Sequence, residues 1–233
     1  MPLLSVIIPV YNEEKTILKV VDLVKAEKTE KEIIIVDDGS TDNTPKILEQ
    51  LSEKKDPNIR IITHPENLGR GAGIKTALEY ARGEIVIFQD ADIELTPSNY
   101  SILIQPIISG EAEVVFGSRF LGKGFIQGMG IGAYIANIIL VELIDRLYKA
   151  NLTDVLTMFQ VTKLQILRSL NIESNRWGST IEITAKLLRK GYKIKEIPVD
   201  YIPRRKETGK KVRGKDFFSC LFILMKYRFS KID

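Results

Sequence analysis

Through the first half of the chain, short runs of β-branched and apolar residues alternate with stretches whose apolar positions recur every three or four residues. The runs are LSVIIPV at 4–10, EIIIVDD at 32–38, IRIITH at 59–64, EIVIFQD at 84–90 and AEVVFGS at 112–118. Near-continuous apolar runs of this length mark strands covered on both faces. Between the first two, Ile17, Val20, Val21 and Val24 share one helical face. A second helix starts near TDNTPKILEQL with Pro45 in its first turn, and Ser40, Thr41, Asp42 or Asn43 can cap it. GRGAGIKTALEYARG supplies a third, with Gly83 as the expected C-terminal cap. The alternation predicts an α/β protein with a mostly parallel central sheet and helices on both faces.

Ligands of such sheets bind where the carboxyl ends of the strands meet their loops. The unusual polar residues fall there. The first strand runs into Pro9, Tyr11, Asn12 and Glu13, the second into VDDGSTDNT, and the fourth into QDAD. In VIFQDADIEL, three acids, Asp90, Asp92 and Glu94, crowd five residues. They repel one another unless a cation, hydrogen bonds or water compensate them. NLGRGAG lacks the spacing of a P-loop, so its glycines equally serve a helix start close to the sheet.

Composition narrows the classes. With 44% hydrophobic and 27% charged residues, 233 residues make one ordinary folded domain with a sizeable core. One cysteine, Cys220, excludes an internal disulfide, and one histidine, His64, excludes a metal site built on two histidines. The net charge is only +4, yet residues 204–231 hold ten lysines and arginines against Glu207 and Asp216, which points to an anionic partner. Nucleic acid is not expected, because no DNA- or RNA-binding signature accompanies the charge. The N-terminus reads as a first strand and not as a secretion signal. GMGIGAYIANIILVELIDRLY, interrupted by Glu142 and Asp145, and FFSCLFILMKYRF are too short or too charged to span a bilayer.

SVIIPVYNEE, IIIVDDGSTDNT, NLGRGAGIKTAL, GEIVIFQDADIEL and VVFGSRF occur in the order seen in family 2 inverting glycosyltransferases with the Rossmann-like GT-A fold, which the chain resembles over most of its length. The segment from DVLTMFQVTK to YIPRRKETGKK resembles the branch that contains dolichyl-phosphate mannose synthases and polyprenyl-phosphate glucosyltransferases. The resemblance implies a catalytic domain over 1–215 and an amphipathic, membrane-interfacial segment over 216–233. It implies that Asp90 and Asp92 form a DxD motif holding Mg²⁺ or Mn²⁺ on the diphosphate of a nucleotide sugar, GDP-mannose or UDP-glucose. Glu94 is either a further ligand or a solvated loop carboxylate. Pro9, Tyr11 and Glu13 are expected to line the nucleotide pocket and Asp38 to reach the base or ribose, while Asp37 is structural. Lys75 is either a diphosphate contact or an exposed helix residue.

The acceptor implied is a polyprenyl or dolichyl phosphate, met at the cytoplasmic face of a membrane to which the protein is peripherally bound. Ser118 and Arg119 of GSRF, Arg204 of YIPR and Lys210 are the expected phosphate contacts, with Arg205 and Lys211 adding charge; Arg119 and Arg204 join Asp90 and Asp92 as catalytic residues. Asp154 and Glu182 match acidic positions of the branch, as a base for a hydroxyl acceptor or, preferably, to orient an arginine or cap a helix. Trp177 shapes the sugar or lipid entrance, or simply packs. Gln160 in TMFQ stands where relatives carry a cation, and the appended membrane helices of many relatives are missing. DFFSCLFILMKYRFSK and the segment from Met129 to Tyr148 are the expected lipid-facing surfaces. A sugar hydroxyl acceptor in polysaccharide or glycolipid synthesis and a non-catalytic nucleotide-sugar binder stay open as alternatives, as do a homo-oligomer and a separate membrane subunit.

Overall fold

The five apolar runs form strands in a computed structural model of the chain, which describes residues 2–203 and 214–230. They are β1 (Leu4–Val10), β2 (Lys31–Asp37), β3 (Ile59–Thr63), β4 (Ile85–Phe88) and β5 (Val114–Ser118). Two further strands, β6 (Gln160–Lys163) and β7 (Ile194–Pro198), complete a seven-stranded sheet of order β3-β2-β1-β4-β6-β5-β7. Only β6 runs antiparallel to its neighbours, inserted between β4 and β5. Both added strands escape a search for apolar runs. Gln160 and Thr162 are polar but buried, with the Gln160 amide donating to Thr180 O and Thr184 Oγ1 and Thr162 Oγ1 donating to Glu113 O. A cation at residue 160 would be a charge buried in this amide's place.

Helices α1 (Ile17–Ala26), α2 (Thr44–Glu53), α3 (Arg70–Tyr80) and α4 (Tyr100–Ile108) link the first five strands, the last preceded by a 3₁₀ turn over Pro97–Asn99. Ile17, Val20, Val21 and Val24 are all buried, as their spacing requires. Asp42 accepts from the Thr44 amide and so supplies the cap of α2. The expectation for Gly83 fails: α3 ends at Tyr80, followed by an extended Ala81. Gly83 instead lies flat against β1, where a Cβ would come within 2.5 Å of the Ser5 nitrogen.

The rest of the chain contributes α5 (Ile131–Tyr148), α6 (Leu164–Ser169), α7 (Gly178–Arg189) and α8 (Gly214–Phe229). α5, α7 and α8 enclose a second core from Leu140, Ile144, Ile181, Ala185, Cys220, Ile223, Leu224 and Tyr227. The boundary expected between 215 and 216 falls inside the first turn of α8, whose inner face belongs to this core. Among the described residues no helix is long and apolar enough to cross a membrane.

Candidate active site

The register aligns the strand ends that the sequence singles out. Val10 lies opposite Asp37 and Ile7 opposite Phe88, so the loops after β1, β2 and β4 leave the sheet side by side. Asn12, in the left-handed region at φ 53°, turns the first loop and donates to Ser40 Oγ from its amide while accepting from the Thr41 amide. The Glu13 amide donates to Thr44 Oγ1 and its carboxylate accepts from Thr16 Oγ1. Pro9, Tyr11 and Glu13 are thus held half-buried on one rim.

The two aspartates of VDDGS are inward-facing. Asp37 is fully buried and accepts from the Ser40 amide, in keeping with a structural role. Asp38, only 3% exposed, accepts from the Leu68 and Gly69 amides and pairs with the His64 ring at 2.8 Å. In this structure it ties the loop before α3 to the end of β2.

At the end of β4, buried Gln89 grips the acidic loop. Its amide donates to Asp90 O and Leu95 O at 3.0 Å each, and its carbonyl accepts from the Tyr100 hydroxyl at 2.8 Å. Asp90 and Asp92 are left half-buried at the surface, with Asp92 Oδ1 accepting from the Glu94 amide. Glu94 is no free loop carboxylate: Tyr201 donates to it at 3.2 Å, and the Ile202 amide donates to its carbonyl. Burial, and then Glu94, push the Tyr201 phenol above its ordinary range, so it stays a donor.

Arg70, which the sequence reading passes over, lies beside this loop. All three guanidinium nitrogens are buried without a hydrogen-bond partner among the described residues. Nη2 is 3.5 Å from Asp90 Oδ1, and the guanidinium stacks 4.7 Å from the centre of the Trp177 ring. Burial lowers its pKa, against the opposing pull of Asp90 and Asp92. Five donors in a fixed fork, desolvated and without a hydrogen bond among the described residues, suit an anion. The pocket depends on Gly71, where a Cβ would come within 2.1 Å of Ser174 O and push the 173–177 loop away. Lys75 reaches that same loop, donating to Glu173 O and Asn175 Oδ1.

A second cluster follows β5. Arg119 donates from Nε and Nη2 to Asp154 at 2.6 and 2.8 Å, and the rings of Phe120 and Tyr201 each lie 5.3 Å from its guanidinium. Burial opposes the charge, but Asp154 outweighs it and holds Arg119 above its ordinary pKa. Asp154 is fully buried, and the Thr153 and Asp154 amides donate to Glu196 on β7. Orientation of Arg119 by Asp154 is therefore what the structure shows. Ser118 is a correction: it is fully buried, its Oγ accepts from the Phe120 and Leu121 amides and pairs with Thr153, so it shapes the turn and does not face an acceptor. Glu182 is likewise fully buried and no base; it accepts from the Glu173 and Ser174 amides. Arg204, Arg205, Lys210 and Lys211 lie outside the described residues.

The carboxylate pair fits a hard divalent cation. Among the described residues no third histidine, cysteine or carboxylate completes a cage around Asp90 and Asp92. Such a donor set suits Mg²⁺ or Mn²⁺ whose other positions are filled by phosphate oxygens and water.

A sheet with one reversed strand thus brings acidic loops and a buried arginine together at its carboxyl rim. The chain belongs to glycosyl transferase family 2, whose profile matches residues 5–169. It is 28% identical to the glycosyltransferase AglD of Haloferax volcanii over 86% of this chain and 33% of that protein. It is 32% identical to a Methanocaldococcus jannaschii protein over 84% and 87% of the two chains. It is 36% identical to the dolichyl-phosphate β-glucosyltransferase ALG5A of Trichomonas vaginalis, over 50% of this chain and 40% of that one. The chain spans a third to half the length of AglD and of a second Haloferax volcanii relative, the hexosyltransferase Agl6. The fold is GT-A: glucosyl-3-phosphoglycerate synthase of Mycobacterium tuberculosis, solved with Mn²⁺, UDP and phosphoglyceric acid, matches all of this chain and 80% of its own with a TM-score of 0.74 at 20% identity. Residues 1–349 of Staphylococcus aureus TarS, with UDP-GlcNAc, give 0.65 over 99% and 68%, again at 20% identity.

Proposed function

We propose that the chain transfers a hexose, with inversion and with Mg²⁺ or Mn²⁺, from a nucleotide sugar to a polyprenyl or dolichyl phosphate. The observation that carries the donor half is the buried Arg70, without a hydrogen bond among the described residues, beside Asp90 and Asp92. A diphosphate bound beside the carboxylates would also satisfy the guanidinium. Asp90 and Asp92 would hold the cation, which when bound would supply positive charge for the departing nucleoside diphosphate. Arg70 adds charge from a dry wall, where it acts more strongly than in water. Pro9, Tyr11 and Glu13 border the nucleotide on the neighbouring rim. GT-A proteins solved with Mn²⁺ or Mg²⁺ and UDP support the same pairing of metal and nucleotide.

For the acceptor half, Arg119 is held by Asp154 through two of its nitrogens, leaving Nη1 outside that pairing. A phosphate monoester is largely a dianion at neutral pH, so it must be held in place but needs no base. This agrees with Asp154 and Glu182, the candidate bases for a hydroxyl acceptor, being buried and committed elsewhere. Arg204 and Lys210 add to the cationic side in sequence, and a relative named for dolichyl-phosphate glucosylation supports the choice. The lipid is reached from a membrane surface. Ile131, Ile135, Ile138 and Ile139 on α5 and Phe218, Phe222, Met225 and Phe229 on α8 are all exposed, and Lys226 and Arg228 adjoin the second stripe. Apolar stripes beside cations suit an anionic bilayer interface.

The test offers polyprenyl phosphate and the corresponding phosphate-free polyprenol in parallel with labelled donor. Label confined to the phosphate is expected. Label in the alcohol or in a glycan, with none in polyprenyl phosphate, overturns the acceptor assignment.

A further inference from the structure

Behind Trp177 lies a network that neither the donor pocket nor the acceptor cluster uses. Fully buried Glu182 on α7 accepts at Oε1 from the Glu173 amide at 2.8 Å and at Oε2 from the Ser174 amide at 2.7 Å. The same carboxylate pairs with Lys186 at 2.6 Å and accepts from the Tyr227 hydroxyl of α8 at 2.9 Å. Lys226, next along α8, pairs with Glu173 at 2.7 Å. α8 also lies so close to α7 that a Cβ on Gly178 would come within 2.0 Å of Ile223 Cδ1.

The loop so held is the one that builds the donor wall. The Asn175 carbonyl accepts from the Ala72 amide in the first turn of α3, Ser174 O lies against Gly71, and Trp177 stacks on Arg70. The 173–177 loop is therefore clamped on one side by α7 and α8 and covers Arg70 on the other. Among the described residues this guanidinium has no hydrogen bond, and the Trp177 ring and Asp90 are what fix its direction. Its position therefore depends in part on what holds Trp177.

We propose that Glu182 and Tyr227 are positioning residues for the donor pocket: through the 173–177 loop they hold Trp177 against Arg70 and so fix the guanidinium that binds the donor diphosphate. The proposal rests on the donor reading above. It makes α8 part of the nucleotide site although no residue of α8 is placed in it. Loss of the Tyr227 hydroxyl leaves the Glu182 carboxylate one donor short and loosens the loop, so the cost appears in donor affinity and not in acceptor recognition.

Trp177 is the chain's one tryptophan, so the intrinsic emission of the full-length protein reports the stack directly. UDP and GDP are titrated with Mn²⁺ against the native chain, Arg70→Met, Tyr227→Phe and Lys226→Ala, with thermal unfolding measured alongside. Arg70→Met is expected to weaken the bound nucleotide by about tenfold or more. Tyr227→Phe is expected to shift the Trp177 emission, to weaken nucleotide binding by about fivefold, and to leave the KM for polyprenyl phosphate within about twofold. Lys226→Ala, which keeps the buried network, moves both readouts in the same direction by less. Nucleotide affinity unchanged in Arg70→Met removes the donor reading and the inference with it. Weakened binding in Arg70→Met with native emission and affinity in both Tyr227→Phe and Lys226→Ala removes the inference alone. A Tyr227→Phe effect that falls equally on donor and acceptor marks a general loss of structure and also contradicts it.

Discussion

Asp92 combines a local hydrogen bond with the charge expected of a metal ligand. Its Oδ1 accepts from the Glu94 amide, a task that asparagine performs as well, whereas holding a divalent cation needs the charge. Asp92→Asn is therefore expected to unfold at the native temperature and to lose metal-dependent transfer by at least about a hundredfold, measured by melting and by label transfer on the same preparation. The acidic loop stands out in the sequence because three carboxylates within five residues end an apolar strand. Arg70 does not, since an arginine at a helix start reads as exposed. It is the approach of Ser174 and Asn175, a hundred residues away, that buries it. The surroundings of Asp38 and Ser118 are equally hidden from the sequence. Both have residue types suited to ligands, but their oxygens are taken up by amides that only the folded loops bring near.

Strands β1, β2, β4 and β5 are legible because each is apolar on both faces, and β3, half-buried with Arg60 and Thr63 exposed, because its three isoleucines still make a short run. β6 and β7 depend on tertiary partners for their polar residues, so periodicity does not find them. Gly83 shows the same limit at a helix end. It is packed against β1, and Gly83→Ala is expected to cost about 2–3 kcal/mol in urea unfolding because backbone, not a movable side chain, blocks the added methyl. The α7–α8 contact carries a pH dependence. Burial alone would raise the pKa of Glu182, but hydrogen bonds from Lys186 and the 173–174 loop lower it below the ordinary glutamate value. A carboxylate depressed in the folded state contributes stability above its unfolded pKa and loses it as pH falls through the folded value. Glu182→Gln, which leaves the Lys186 charge with only Glu173 and the Asn171 carbonyl, is expected to lose about 2 kcal/mol at pH 7. That deficit shrinks as the pH drops below about 4, read from denaturant unfolding at both pH values.

At the scale of the molecule, one sheet brings three loops to a common rim, and a second core of α5, α7 and α8 stands beside it. The outer sides of α5 and α8 keep their apolar residues exposed, with Phe218, Phe222 and Phe229 each about 70% accessible, which a domain with no apolar partner would not favour. Phe218→Ser combined with Phe222→Ser is expected to weaken flotation with anionic vesicles at least about tenfold while leaving the melting temperature unchanged. Undiminished flotation would place the lipid contact elsewhere. The sequence shows these stripes as apolar segments too short to span, but it does not show that the opposite face of α8 closes a core and clamps the 173–177 loop. The central claim is transfer from a metal-bound nucleotide sugar to a lipid phosphate. The most direct test supplies labelled UDP-glucose and GDP-mannose, separately, to polyprenyl phosphate in vesicles with Mn²⁺, for the native chain and Asp92→Asn together. An acid-labile labelled lipid is expected from one donor, formed by the native chain only while the metal is present. Transfer that survives chelation and the Asp92→Asn change, or nucleotide binding without any labelled lipid, would contradict this claim.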